Sequence, residues 1–142
     1  MNILKVLTPK RAIGNLGEKC AAKFLFWRGY RILERNYVAD GAEIDLIAKK
    51  GGVLAFVEVK TRSLSTLGKK EARPASSVTA EKQKKIIKAA GRYVGYRHKD
   101  LRKRFDIIEV YVDSSNGKTR VIEIKHLENT FNINTAYNKS NY

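Results

Sequence analysis

The sequence predicts an α/β domain, a mixed β-sheet flanked by helices. Three observations carry this. An amphipathic run opens the chain, three strand-like runs follow with glycine turns between them, and a second amphipathic run separates these from two more strands. Consecutive strands with short turns form an antiparallel meander, and a helical crossover lets the next strand join the sheet in parallel.

The first helix is expected from about Pro9 to Arg28. Thr8 suits the cap and Pro9 the first turn, while Ile13, Leu16, Cys20, Phe24 and Trp27 form an apolar stripe that Gly29 ends. Tyr30 to Val38 is the first strand. Asp40-Gly41 is a hairpin signal, "AEIDLIAKK" the second strand, Lys50-Gly51-Gly52 another turn, and "VLAFVEVKT" the third strand. Ser63 to Ser77 holds Gly68, Pro74 and four serines and is expected to be a long functional loop. The second helix should run from near Thr79 to about Tyr96. Ile86, Ala90, Tyr93 and Val94 lie on its buried side, with Lys84, Lys88 and Arg92 along an exposed one. "RFDIIEVYV" is the fourth strand, Ser115-Asn116-Gly117 a turn, and "TRVIEIK" the fifth strand. Residues 1–125 then make a single domain. Residues 126–142, polar and rich in Asn, are expected to be a partly disordered tail with Phe131 tucked back.

Composition narrows the function. The 142 residues are 43% hydrophobic, enough for one core. No apolar run approaches the roughly 20 residues of a membrane span, and the N-terminus lacks the pattern of a signal peptide. The single cysteine, Cys20, rules out an intrachain disulfide and suits a reducing, cytoplasmic setting. With only His98 and His126 beside it, the chain is poorly supplied for a structural zinc site, and any metal is expected to be a hard one held by oxygen. The net charge is +15 and unevenly spread. Residues 1–59 carry 10 Lys/Arg and 6 Asp/Glu, residues 60–104 carry 15 and 3, and residues 105–142 carry 4 and 5. The excess begins at Lys60, and a field this dense and one-sided points to a polyanion, most simply nucleic acid.

Against that background, acids stand inside apolar strands at two places: Glu43 and Asp45 in "AEIDLIA", and Glu58 in "FVEVK". A buried carboxylate requires a partner or a metal. A hairpin folded about Gly51-Gly52 brings Asp45 near Glu58, and two converging carboxylates suit Mg²⁺ (or Mn²⁺), which keeps several waters. Lys60 shares a strand face with Glu58, placed to orient an attacking water or offset charge on a phosphate. The Val59 carbonyl offers a third oxygen. A same-face Glu58–Lys60 ion pair on an exposed strand is the plain alternative. Glu18, on the first helix among Gly14, Gly17, Ala21 and Ala22, and the basic stretch that follows Lys60 favour the metal site. Lys69, Lys70 and Arg73 in the long loop would clamp phosphates, Lys84, Lys88 and Arg92 would extend that track, and Arg62 would face the incoming nucleic acid. Such contacts position a strand without reading its sequence.

An acid on the first helix, Asp-x(13)-Glu-x-Lys on two strands and a helix after them resemble the PD-(D/E)xK nuclease superfamily. More narrowly, "GNLGEKCAAKFL", "GYRILERNY", "GAEIDLIA", "AFVEVKTR", "VTAEKQKKI" and "RFDIIEV" are similar to the YraN family, related to archaeal Holliday-junction resolvases. The resemblance covers about residues 11 to 112. It implies a restriction-endonuclease-like fold, an αβββαβ core plus a fifth strand. It implies Asp45 and Glu58 as metal carboxylates, Lys60 as the catalytic lysine, and Glu18 as the helix acid that completes the site. It also implies branched DNA as substrate and a possible homodimer. Glu43 occupies the E-x-D position, as a supporting acid or an exposed strand carboxylate. Lys82 and Gln83 match a segment that could touch the scissile phosphate, with a solvated helix face as the equal alternative. Asp106 is expected to be structural, paired with Arg104 or another nearby base. The chain departs from the superfamily's name in having Ile44 where the proline stands. Two other readings remain: a nucleic-acid-binding module with the nuclease fold but little chemistry, and a ribosome-associated basic protein. Clustered in-strand acids speak against the latter.

Overall fold

The computed structural model describes residues 9–64, 78–115 and 117–138. Its elements run α1 (Pro9–Trp27), β1 (Arg31–Ala39), β2 (Ala42–Lys50), β3 (Val53–Ser63), α2 (Ala80–Val94), β4 (Arg102–Asp113), β5 (Arg120–Phe131) and α3 (Ile133–Asn138). The five strands lie side by side in chain order. β1, β2 and β3 form the antiparallel meander, β3 and β4 are parallel across the α2 crossover, and β5 returns antiparallel to β4. This is the expected mixed sheet. Thr8 and the loop lysines Lys69 and Lys70, with Arg73, lie outside the described residues.

Both hairpins of the meander close over two residues, with Ala39 opposite Ala42 and Lys50 opposite Val53. Asp40 and Gly41 take φ of 52° and 75°, the left-handed pair that matches strand twist. Strand alternation, broken once in β2 between Ile44 and Leu46, then divides the core into two layers. One face of the sheet packs Leu46, Ala48, Ala55, Val57, Ile108 and Val110 against Ala21, Ala22 and Leu25 of α1. The opposite face packs Ile44, Ile47, Leu54, Phe56, Phe105 and Ile107 against Ile86, Ala89 and Ala90 of α2. Thr79 caps α2, its hydroxyl accepting from the Lys82 N–H at 3.2 Å. Among the described residues no helix is long and apolar enough to cross a membrane.

The C-terminal segment differs from expectation. β5 does not stop near residue 125 but continues to Phe131, which pairs with Phe105 and is buried against it, the rings stacked 5.1 Å apart. α3 follows, capped by Asn132, whose Oδ1 accepts from the Thr135 N–H at 3.1 Å, and Ala136 is fully buried. The segment is polar on average, yet Leu127, Phe131 and Ala136 are spaced as anchors and the asparagine caps a helix. Phe131 is tucked back as expected, and what the average hid is the length of β5 and the helix cap.

α1 approaches the sheet most closely at Gly17. A Cβ there would collide with Thr61 Oγ1 on β3, and threonine's stiff χ1 leaves that hydroxyl little room to yield. Gly17→Ala should therefore lower stability by about 1–3 kcal/mol, the usual cost of overpacking. Urea midpoints check this, and adding Thr61→Ala should recover most of the loss.

Candidate functional site

β2 and β3 pair from Lys50 and Val53 as far as Leu46 and Val57, and there the ladder ends. The next residue on each strand is Asp45 and Glu58. In place of a backbone partner, the Val59 N–H donates to Asp45 Oδ2 at 2.7 Å. The strands therefore fork at the two carboxylates. A strand residue's N–H and C=O face the same neighbour, so the Val59 carbonyl is also directed to the Asp45 side.

Glu58 is 8% exposed and doubly compensated. Its Oε1 lies 2.6 Å from Lys82 Nζ of α2 and 3.3 Å from Lys60 Nζ, two residues along the same face. Among the described residues Asp45 has no such cation. Burial, then Glu58, with smaller pushes from Glu18 and Glu43, raises its pKa to about 7 against the pull of the Val59 N–H. Glu18 is likewise raised, by burial and by Glu43 and Glu58. Asn36, in β1 with a φ of 53°, ties the acids on this side together. With its amide turned to donate, its nitrogen reaches Glu18 Oε2 at 3.3 Å and Glu43 Oε1 at 3.2 Å.

Four acids thus share one neighbourhood with two lysines, a local negative spot in a strongly basic chain. A cleft of about 400 Å³ opens over it, lined in part by Glu43, Asp45, Glu58, Lys82 and Lys85. Glu18 flanks Asp45 in one adjoining cleft and Val59 and Lys60 in another. Among the described residues no three His, Cys, Asp or Glu side chains converge into a metal-holding group. The acids surround the fork without closing on a point. The donor chemistry nonetheless suits a hard cation. Asp45 Oδ1 and Glu58 Oε2 have no hydrogen bond among the described residues, and Asp45 is destabilised when charged.

Several residues differ from expectation. Arg62 does not point outward. Its Nε lies 2.6 Å from Glu109 Oε2 on β4, an ion pair in which the N–H is not aligned on the carboxylate. Lys60 stands opposite Glu109, so the parallel register sets Arg62 diagonally across from that buried acid. Gln83 is too buried to meet a phosphate. Its Nε2 donates to the Val78 carbonyl at 2.9 Å, pinning the entry to α2, while its Oε1 has no partner. Lys82, expected on the phosphate, is on Glu58. The track Lys84, Lys88 and Arg92 is interrupted. Arg92 makes two hydrogen bonds to Asp40, at 2.7 and 3.0 Å, and Lys84 is half-buried with its Nζ 5.0 Å from the Tyr137 ring centre. Lys88 remains exposed. Asp106 is structural as expected, taking Arg104 and His126 as partners. Asn36 does not stand out among the candidate residues of the sequence. A polar residue within the strand run "LERNYV" was the available signal.

The family model described as "Uncharacterised protein family UPF0102" matches residues 17–110. A UPF0102 protein of Chlorobaculum parvum is 48% identical over 121 residues, covering 84% of this chain and 91% of the relative. Others from Caldanaerobacter subterraneus subsp. tengcongensis (41% identical, 86% and 96% covered) and Dictyoglomus turgidum (43%, 85% and 98%) match over a similar span.

Proposed function

We propose that this chain, which belongs to the uncharacterised protein family UPF0102, is a divalent-metal-dependent endonuclease acting on DNA, selective for branched structure rather than for sequence. The observation that carries the reading is the β2–β3 fork. A half-buried Asp45 and a buried Glu58 stand together where the strands part, with Lys60 and Lys82 on Glu58, in a chain of net charge +15. The likeness to the PD-(D/E)xK superfamily supports it, with the restriction-endonuclease-like fold and the resolvase relationship as part of the same proposal.

Asp45, Glu58 and the Val59 carbonyl would hold Mg²⁺ or Mn²⁺, with Glu18 and Glu43 as supporting acids. The cation supplies Lewis acidity and a water of lowered pKa. Asp45, held by the Val59 N–H, has its carboxylate fixed in orientation before any ligand arrives. Lys60 and Lys82 are two ammonium groups on a single carboxylate oxygen, so one can turn to a phosphate while the other keeps Glu58 neutralised. Net positive charge with no pattern of base-reading side chains fits binding to backbone and shape.

The test is cleavage. Purified protein with Mg²⁺ or Mn²⁺ should cut branched or flapped DNA faster than linear duplex, and an Asp45→Ala control should not. No cleavage of branched, flapped, single-stranded or duplex DNA would overturn the proposal. The lysine-bound Glu58 favours one second reading, a binding module that keeps the site and performs little chemistry. The two separate on metal. For the nuclease, saturating Mn²⁺ should stabilise the fold by about 2–3 kcal/mol at a hundredfold excess over Kd, and Glu58→Ala should remove that gain. For the module, melting is the same with and without metal.

A further inference from the structure

The C-terminal end of α1 exposes large aromatic surface that the fold does not use. Trp27 is 82% exposed and Phe26 64%, and their rings meet edge to face with centroids 5.8 Å apart. Phe26, though not Trp27, lines a cleft of about 580 Å³ together with Lys23, Arg31 and Arg35, with no acid among its lining residues. Arg35 also lines the neighbouring cleft, where it stands with Lys19, Glu18 and Asp45. The two clefts thus adjoin at Arg35, beside the seam between α1 and β1. Lys19, Lys23, Arg31 and Arg35 are exposed, and none makes an ion pair among the described residues.

Exposed aromatic faces beside unpaired cations suit an unpaired nucleic-acid strand. Every base offers a π-face for stacking, and the phosphates between bases need cations. A duplex keeps its bases inside and would gain only the charges. We infer that the α1–β1 seam is a binding path for a single-stranded segment of the substrate, with bases stacking on Phe26 and Trp27 and phosphates on Lys19, Lys23, Arg31 and Arg35. The inference rests on the nuclease reading and specifies its substrate: a branch or flap with unpaired nucleotides next to the cut. Trp27 is nine residues from Glu18, about 13–14 Å along the helix axis at 1.5 Å per residue. Nine residues at 3.6 per turn also place Trp27 half a turn round the helix from Glu18, so at a stacked rise of 3.4 Å the platform lies about four or more nucleotides from the fork.

Trp27 is the chain's one tryptophan, so its fluorescence reports on the platform alone. The full chain, in EDTA, is titrated with oligothymidylate and with a duplex of equal length. Oligothymidylate should quench Trp27 and bind with a log–log salt slope of about −3 for four phosphate contacts. Trp27→Ala and Phe26→Ala, followed by fluorescence anisotropy of a labelled strand, should each weaken single-strand binding about tenfold while duplex affinity stays within twofold. Arg35→Ala should flatten the salt slope. Equal quenching by duplex would overturn the inference, as would unchanged single-strand binding in both aromatic variants. So would Trp27 emission that shifts with protein concentration alone, with a matching change in mass by light scattering, since a second copy of the chain would then cover the platform. Because EDTA removes cleavage, these outcomes are independent of the metal assay. Loss of the platform leaves the nuclease reading standing, and quenching without cleavage leaves only the platform.

Discussion

Asp45→Asn should abolish cleavage and, in the same protein, raise the stability of the metal-free fold above pH 7. The activity loss follows from removing one of the two carboxylates at the fork. Loss of partners that merely support a metal ligand already costs 10–100-fold, so at least about a hundredfold is expected here. The stability gain follows from the environment of Asp45. Its pKa rises from 3.8 to about 7 because burial, Glu58, Glu18 and Glu43 all disfavour its charge. The folded state therefore holds this proton more tightly than the unfolded state. At pH below 3.8 the group is protonated in both states and costs nothing. As pH rises from about 4 to about 7 the folded state loses ground, and above 7 the full penalty applies. At 1.36 kcal/mol per pH unit the ceiling is about 4 kcal/mol, and shared charge with Glu58 reduces it to roughly 2–4. Urea unfolding at pH 5 and pH 8 in EDTA checks this. The wild type should be less stable at pH 8, Asp45→Asn should show little difference, and saturating Mn²⁺ should close the gap for the wild type alone. A wild type equally stable at both values would mean that Asp45 is not held in a desolvated pocket among other acids.

That pocket was partly legible in the sequence, because one rule of arithmetic places it. A two-residue turn after Lys50 fixes every partner on β3, so Asp45 had to lie near Glu58 once "AEIDLIAKK" and "VLAFVEVKT" were taken as strands. β2 matches its expected bounds for the same local reason. What the sequence did not reveal depends on the crossover. The parallel register of β4 against β3 is set by the packing of α2, and no local pattern gives it. Arg62 was assigned to nucleic acid because nothing in "KTR" announces Glu109, 47 residues further on. Lys82 was assigned to phosphate because its distance from Glu58 is a property of how α2 lies on the sheet. Gln83 looked exposed because a buried glutamine on a lysine-rich helix shows only once the Val78 carbonyl needs a donor.

Asp106→Ala should be the most destabilising single substitution away from the fork, by about 3–5 kcal/mol, measured as a shift in the urea midpoint at pH 7. Asp106 is 0% exposed and takes three partners, one on its own strand and two on β5. Arg104 of the same strand donates to its Oδ1 from Nε at 2.9 Å and to its Oδ2 from Nη2 at 2.8 Å. His126 Nε2 meets Oδ2 at 2.8 Å, and the Asn129 N–H donates to Oδ1 at 2.9 Å, so the far half of β5 hangs on one carboxylate. Arg104 also donates to Tyr30 Oη at 2.6 Å, which joins the start of β1 to the same network. Removing the carboxylate leaves a buried guanidinium with Tyr30 and, 3.6 Å away, the exposed Glu128, and it orphans a backbone N–H. Replacing both partners by apolar residues, Arg104→Met with Asp106→Leu, removes the uncompensated charge and should recover a large part of the loss. Burial opposes the ionised form of Asp106, but hydrogen bonds from His126, Arg104 and Asn129 outweigh it and hold the pKa below 3.8. Its contribution is therefore complete above pH 3.8 and is lost as pH falls through the lowered folded value, the opposite direction to Asp45. The metal-free wild type should accordingly be most stable in mildly acid solution, between the titration of these two aspartates. Asp45→Asn should extend that maximum toward neutral pH, and Asp106→Asn should flatten its acid side. A pH profile in which the two variants move the same limb would break the assignment of both groups.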